Sequence, residues 1–170
     1  MSDTRQRIAA HVQRAPGVHF RGLARALDLA PGQVQYHVRR LQRADRLVAE
    51  DVSGRTHYFP PEVAADRRRR LALLRRETAR DVVVVLAERG PAAPDDVAAE
   101  LDIARSTLEW HLEGLTEADL VAKTYDERGR VTLSLVEEER VADLLSTIQP
   151  GLPDRLVDRF TRLVDQLLAE

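Results

Sequence analysis

Side chains that can recognise phosphates and nucleobase edges are concentrated between residues 31 and 44. Three apolar residues there, Val34, Val38 and Leu41, follow helical spacing and predict one buried stripe. The other faces of the predicted helix carry one glycine and six polar side chains: Gly32, Gln33, Gln35, Tyr36, Arg39, Arg40 and Arg43. Arginine donates two hydrogen bonds to guanine or to a phosphate, and glutamine pairs with adenine. This composition predicts a nucleic-acid contact surface, with a solvated polar face as the alternative.

The balance of charge reverses between the two halves of the 170-residue chain. The net charge of −2 conceals 17 Arg against 8 acidic residues in residues 1–80, and 9 basic against 20 acidic residues in residues 81–170. Arginine supplies 25 of the 26 basic residues. This usage reflects either codon bias or a preference for the planar guanidinium fork. We expect the cationic half to be the one that faces phosphates.

The sequence lacks the residues that several other functions require. The absence of Cys excludes disulfides, thiolate zinc sites and a cysteine nucleophile. No pair of the five His has helical metal-ligand spacing, so we predict no metal and no cofactor. No catalytic motif is present, and we expect no enzyme.

The longest apolar run, residues 82–87, is far shorter than the roughly 20 residues of a membrane span. We therefore expect a soluble cytoplasmic protein with no membrane partner.

The chain repeats itself at an offset of 74 residues. The segment Leu23–Leu41 aligns with Val97–Leu115, and six pairs are identical: Ala24/Ala98, Leu27/Leu101, Asp28/Asp102, Ala30/Ala104, His37/His111 and Leu41/Leu115. Each copy predicts three helices with a tight turn before the third. A hairpin follows, at residues 47–59 in the first copy and 120–136 in the second. Three helices followed by a two-stranded ribbon form a winged helix-turn-helix. We predict a duplicated unit.

The run Leu23–Leu41, with the following Leu47-Val48 and the Gly54 turn, resembles the winged-helix regulators of the ArsR and MarR type. Two such units, each with an aromatic–His pair in its third helix, resemble the tandem winged-helix transcriptional regulators of archaea. The resemblance covers residues 5–136. It implies a mainly α fold with small β-wings (α+β) and double-stranded DNA as the partner.

We divide the chain into four segments. Residues 1–60 are predicted to form the DNA-reading winged helix, 61–76 a linker helix, 77–136 the second winged helix, and 137–170 a C-terminal helical region for dimerisation. Between the two units, a helix break capped by Thr78 is favoured over one continuous helix.

The predicted DNA contacts follow from the placement of a third helix (31–44) in the major groove. Arg39, near the centre of the outward face, is predicted to read a base. Four arginines around it are predicted to contact phosphates: Arg21, Arg25, Arg40 and Arg43. On the wing, Arg55 is predicted to enter the adjacent minor groove. For the run of four arginines at 67–70, a solvated face is favoured over a phosphate contact.

The second unit is predicted not to read DNA. Gln35, Arg39 and Arg43 of the first unit align with Glu109, Glu113 and Glu117, which phosphates would repel. Trp110 aligns with Tyr36, and three groups could pack against its ring: the last helix, a partner subunit or a small ligand. We expect this unit to serve assembly or effector response, with the effector unspecified. The alternative from another class is a scaffold that binds proteins through both units.

The last predicted helix carries a wide apolar stripe of Leu156, Phe160, Leu163 and Leu167, which water would not leave uncovered. If a second copy covers it, deletion of residues 152–170 should give monomers that bind palindromic duplexes poorly, because half-site spacing mirrors the two-fold axis. Analytical ultracentrifugation measures the assembly state. A deletion protein that still sediments as a dimer would contradict this prediction.

Overall fold

Helices and strands appear twice in the same order along residues 2–149, the part of the chain described by this computed structural model. The first series is α1 (Asp3–Arg14), β1 (Val18–His19), α2 (Phe20–Leu27), α3 (Pro31–Arg43), β2 (Val48–Val52), β3 (Arg55–Phe59) and α4 (Ala65–Leu74). The second is α5 (Glu77–Arg89), α6 (Pro94–Leu101), α7 (Arg105–Glu117), β4 (Val121–Tyr125), β5 (Val131–Leu135) and α8 (Glu138–Ile148). The first compact unit ends at Arg75, and the second begins at Arg76.

The core of the first unit forms where the apolar stripes of three helices meet. Ile8 and Val12 of α1 and Leu23 of α2 are buried together with Val34, Val38 and Leu41 of α3. Leu47 and Tyr58 extend this cluster to the sheet. Burial of one such aliphatic side chain stabilises the fold by about 1.5–3 kcal/mol. The packing therefore fixes the rotation of α3 about its own axis and determines which side chains face outward.

The wing is an antiparallel hairpin closed by a two-residue turn. Strands β2 and β3 pair from Val48↔Phe59 to Val52↔Arg55. Ser53 and Gly54 both have positive φ, 51° and 79°, as a type I′ turn requires. A third strand, β1, pairs with β3 through Val18↔Tyr58. The sequence did not predict β1, because two residues are too few to show alternation.

The predicted duplication is confirmed by the element boundaries. Helices α6 and α7 begin and end 74 residues after α2 and α3. The left-handed residues recur at the same offset, with Asp28 and Asp45 in the first unit and Asp102 and Asp119 in the second. An isolated antiparallel β-bridge between Ala92 and Leu133 is the counterpart of the β1–β3 pairing in the first unit. The mainly α fold with small wings is also confirmed.

Some boundaries differ from the sequence-based expectation. The helix break falls at Arg75–Arg76, and Arg76 rather than Thr78 occupies the N-cap of α5. Helix α4, inside the segment predicted as a linker, belongs to the first unit. The first part of the predicted C-terminal helical region (137–170) is present as α8. Leu156, Phe160, Leu163 and Leu167 lie outside the described residues. No helix within residues 2–149 is long and apolar enough to span a bilayer.

Gly17 allows a test of the packing between β3 and α4. Its φ is +90°, its N–H donates to Tyr58 O at 2.8 Å, and an added Cβ would lie 3.3 Å from the Phe59 ring. We expect Gly17→Ala to lower the free energy of unfolding by about 1–3 kcal/mol, because it combines backbone strain with a close contact. Urea unfolding followed by circular dichroism measures this change.

Gly54→Ala is the matched control. Gly54 also has positive φ, but an added Cβ would meet nothing within 4 Å. This variant should lose less stability, since only the backbone strain applies. Equal losses in the two variants would show that the Phe59 contact contributes nothing.

Candidate nucleic-acid interface

The turn between α2 and α3 sets the start of the candidate reading helix. Asp28 ends α2 in the left-handed conformation, and Ala30 is the extended N-cap of α3. Pro31 takes the first helical position, where its missing N–H costs nothing. Ala30 has no side-chain oxygen to cap the helix, but Gln33 Oε1 accepts from Ala30 N at 3.1 Å. Gln33 thus stabilises the helix start, a use that the sequence analysis did not assign to it.

The outward face of α3 is ordered by contacts among its own side chains. Gln35, Tyr36, Arg39, Arg40 and Arg43 are all exposed, and Tyr36 keeps 55% of its surface. Arg40 Nη1 donates to Tyr36 Oη at 3.0 Å, with the guanidinium carbon 5.5 Å from the ring centroid. The His37 ring packs edge-on against Tyr36 at a centroid distance of 5.0 Å. These contacts hold the aromatic ring and the Arg40 cation before any ligand arrives.

A cleft between α2 and the wing brings three predicted arginines together. Arg21 and Arg25 of α2 and Arg55 of β3 line it, although 30 or more residues separate the wing arginine from the others in sequence. His19, Phe20, Gly54 and Thr56 complete the wall. The cleft is cationic and open to solvent, so an extended phosphate backbone can enter it.

Two histidines fix the base of this cleft. His19 Nδ1 accepts from Gly22 N at 2.8 Å and thereby caps α2, which requires the unprotonated nitrogen. His57 is fully buried, and its Nδ1 lies 2.7 Å from Gly17 O, so this nitrogen donates to the carbonyl. The first histidine holds the start of α2, and the second ties β3 to the backbone before β1.

A second cleft joins α3 to the wing. Gln35, Arg39 and Gln42 line one side, and Thr56 and Tyr58 of β3 line the other. The structure thus brings the exposed face of α3, the start of α2 and the wing onto one side of the first unit. His19, Gln42 and Thr56 were missed by the sequence analysis. The spacing of Gln42 from Gln35 and Arg39 was a usable signal, whereas His19 and Thr56 required the tertiary pairing of β1 with β3.

The electrostatics of this surface differ from those of the arginine run in α4. Among the described residues, the guanidinium groups of all six candidate arginines form no ion pair: Arg21, Arg25, Arg39, Arg40, Arg43 and Arg55. In α4, by contrast, Arg68 Nε pairs with Glu50 Oε2 at 2.7 Å, and Arg70 Nη1 pairs with Asp66 at 3.0 Å. Two arginines of the run at 67–70 are thus paired with carboxylates of their own unit, whereas the candidate arginines on α2, α3 and the wing are not.

Helix α7, the counterpart of α3, has the opposite charge. Glu109 Oε2 accepts from Lys123 Nζ at 2.7 Å, and Glu109 Oε1 pairs with Arg105 at 3.1 Å. The hydrogen bond from Lys123 holds the pKa of Glu109 below its usual range, so the carboxylate stays ionised. Arg105 also pairs with Asp95, and Arg130 of the second hairpin pairs with Asp126. Both of these arginines are thus paired with carboxylates of the second unit.

Trp110 is 53% exposed at the position equivalent to Tyr36. The guanidinium carbon of Arg76 lies 5.3 Å from its ring centroid, and the His111 ring lies edge-on at 4.8 Å. Arg76, at the start of α5, is thus one of the groups that cover Trp110, and half of the indole surface still faces solvent. Within residues 2–149, no group of three or more His, Asp or Glu side chains is arranged to hold a metal.

Two family models match consecutive parts of the chain. One, described as an N-terminal HTH domain, matches residues 2–71, and the other, described as a helix-turn-helix domain, matches residues 73–124. With the duplicated fold described above, these matches show that the chain contains two helix-turn-helix domains in tandem.

Comparison with individual proteins gives one curated relative and a set of structural neighbours. An uncharacterized HTH-type transcriptional regulator of Methanocaldococcus jannaschii is 26% identical over 137 residues, which cover 81% of this chain and 34% of the relative. The chain therefore spans about a third of the length of this relative. Reduced AbfR bound to DNA is 12% identical, with a TM-score of 0.41 over 81% of this chain and 93% of that chain. The YusO protein of Bacillus subtilis is 15% identical, with a TM-score of 0.41 over 81% and 87%.

Proposed function

We propose that the protein is a transcription regulator that reads duplex DNA with its first winged helix. In this proposal α3 enters the major groove, where Gln35, Tyr36 and Arg39 face base edges. Arginines on α2 and α3 contact phosphates, and the wing arginine enters the adjacent minor groove: Arg21, Arg25, Arg40 and Arg43 on the helices and Arg55 on the wing. Gln33 reaches DNA only if it releases the Ala30 amide.

The observation that carries this proposal is the set of arginines without ion pairs on one side of the first unit. This unit has 15 Arg against 7 acidic residues, and the candidate arginines on α2, α3 and the wing have no carboxylate partner among residues 2–149. Such a surface attracts a polyanion, and the release of counterions from DNA makes the attraction strongly dependent on salt. The similarity to an HTH-type transcriptional regulator supports the same function.

The second unit has a different role in this proposal, namely assembly or the response to an effector. Residues 76–149 carry 8 basic against 17 acidic residues, so phosphates would be repelled from this unit. We infer a two-fold homodimer, in which two copies of α3 read half-sites about one DNA turn, or a multiple of it, apart. The terminal segment with Leu156, Phe160, Leu163 and Leu167 is the proposed dimer contact.

A protein-binding scaffold is the second candidate, and one observation favours it. Trp110 and Tyr125 of the second unit keep 53% and 66% of their surface exposed. Exposed aromatic side chains are enriched at protein interfaces. A scaffold, however, does not require the unpaired arginines of the first unit, and its binding would lack a steep dependence on salt.

Arg39→Ala tests the reading function. The cognate duplex is first selected from a random pool, and Kd values are then measured on cognate and scrambled duplexes at two salt concentrations. We expect the variant to bind the cognate duplex about 1–3 kcal/mol more weakly and the scrambled duplex nearly as well as the wild type, because a base contact is lost. For both proteins, affinity should fall steeply as salt rises.

Glu113→Ala is the matched control, because Glu113 occupies the position of Arg39 in α7. Its duplex affinity should equal or slightly exceed that of the wild type. If Arg39→Ala instead lost the same affinity for the cognate and the scrambled duplex, Arg39 would be reassigned to the phosphate backbone. Binding that is absent or insensitive to salt in the wild type would favour the scaffold.

A further inference from the structure

A shallow depression on the outward face of α3 has an unusual composition at one end. It has a volume of about 230 Å³, and Gly32, Gln35, Tyr36, Arg39, Arg40 and Arg43 line it. Four of these six residues have long polar or cationic side chains. At the N-terminal end, by contrast, the bare backbone of Gly32 lies one helical turn before the aromatic ring of Tyr36.

The fold does not require glycine at position 32. An added Cβ would meet nothing within 4 Å, and Gly32 does not have the positive φ that favours glycine. Glycine within a helix instead lowers the folding constant relative to alanine by a factor of up to about five. The space above Gly32 is therefore open to a group that approaches from outside.

The Tyr36 ring forms a fixed apolar wall beside this clearance. Gly32 and Tyr36 line the same depression, and the ring lies more than 4 Å from the position that a Gly32 Cβ would take. His37 holds the ring edge-on, and Arg40 holds the hydroxyl at 3.0 Å. A ring restrained from two sides loses little further freedom when a ligand packs against it.

We propose that Gly32 and Tyr36 form a seat for the 5-methyl group of a thymine. The inference rests on the proposed DNA-reading function and specifies a base that it recognises. Among the groups that the four bases present in the major groove, the thymine methyl is the apolar one, and it is read by apolar contact rather than by hydrogen bonds. Gln35 and Arg39 line the same depression and supply hydrogen-bonding groups for the neighbouring polar base edges.

Deoxyuridine tests the seat, because it differs from thymidine only in the missing methyl group. Each thymine of the selected duplex is replaced singly, and Kd is measured for the wild type. At one thymine per half-site we expect binding about fourfold weaker, the factor that corresponds to one buried methyl group. Tyr36→Ala should bind the thymine and deoxyuridine duplexes equally.

Two further variants separate the seat from other roles of these residues. Gly32→Ala fills the seat, so it should weaken binding to the thymine duplex and abolish the discrimination, while its Tm equals or exceeds that of the wild type. Tyr36→Phe keeps the ring and removes the hydroxyl, so discrimination should persist.

The proposal is overturned if no deoxyuridine substitution changes the affinity, if Tyr36→Ala still discriminates, or if Gly32→Ala binds like the wild type. Loss of affinity in Tyr36→Phe without any deoxyuridine effect would assign Tyr36 to a phosphate contact. Absence of binding to every duplex at low salt would overturn the DNA-reading function itself.

Discussion

The burial of one side of α3 is the constraint on which the candidate interface depends. Val34, Val38 and Leu41 are almost fully excluded from solvent against Ile8 and Leu23. Because this stripe fixes the rotation of the helix, residues in the intervening positions must face outward. The same side chains would be unavailable to a ligand if the stripe were displaced by one residue. The hydrophobic core thus determines which side chains of α3 can contact a ligand, independently of their charge.

The same scaffold occurs twice, and the two copies differ mainly in charge. Leu108, Leu112 and Leu115 of α7 are buried as their counterparts in α3 are. On the outward face, Arg39 is replaced by Glu113, and Glu109 is held ionised by Lys123. A shared fold is therefore compatible with opposite affinities for a polyanion, since the fold depends on one face of the helix and the electrostatics on the other.

The sequence predicted the helices and hairpins well because their causes are local. Helical periodicity located α3, and Pro31 marked its start. The strand β1 could not be predicted, since its two residues are ordered only by pairing with β3. For the same reason, the cleft that unites Arg21 and Arg55 became visible only in the folded unit. Composition likewise could not separate the partnered arginines of α4 from those without partners, because that distinction depends on which carboxylates lie nearby.

Nuclear magnetic resonance of the intact, ¹⁵N-labelled chain tests the division between the two units most directly. A duplex is added at low salt, and amide shift changes are mapped onto the assigned residues. Our account predicts the largest changes in α2, in α3 and at the wing turn of residues 53–56, with small changes in α7 and in the second hairpin. The largest changes in α7 and the second hairpin, or similar changes in both units, would contradict it.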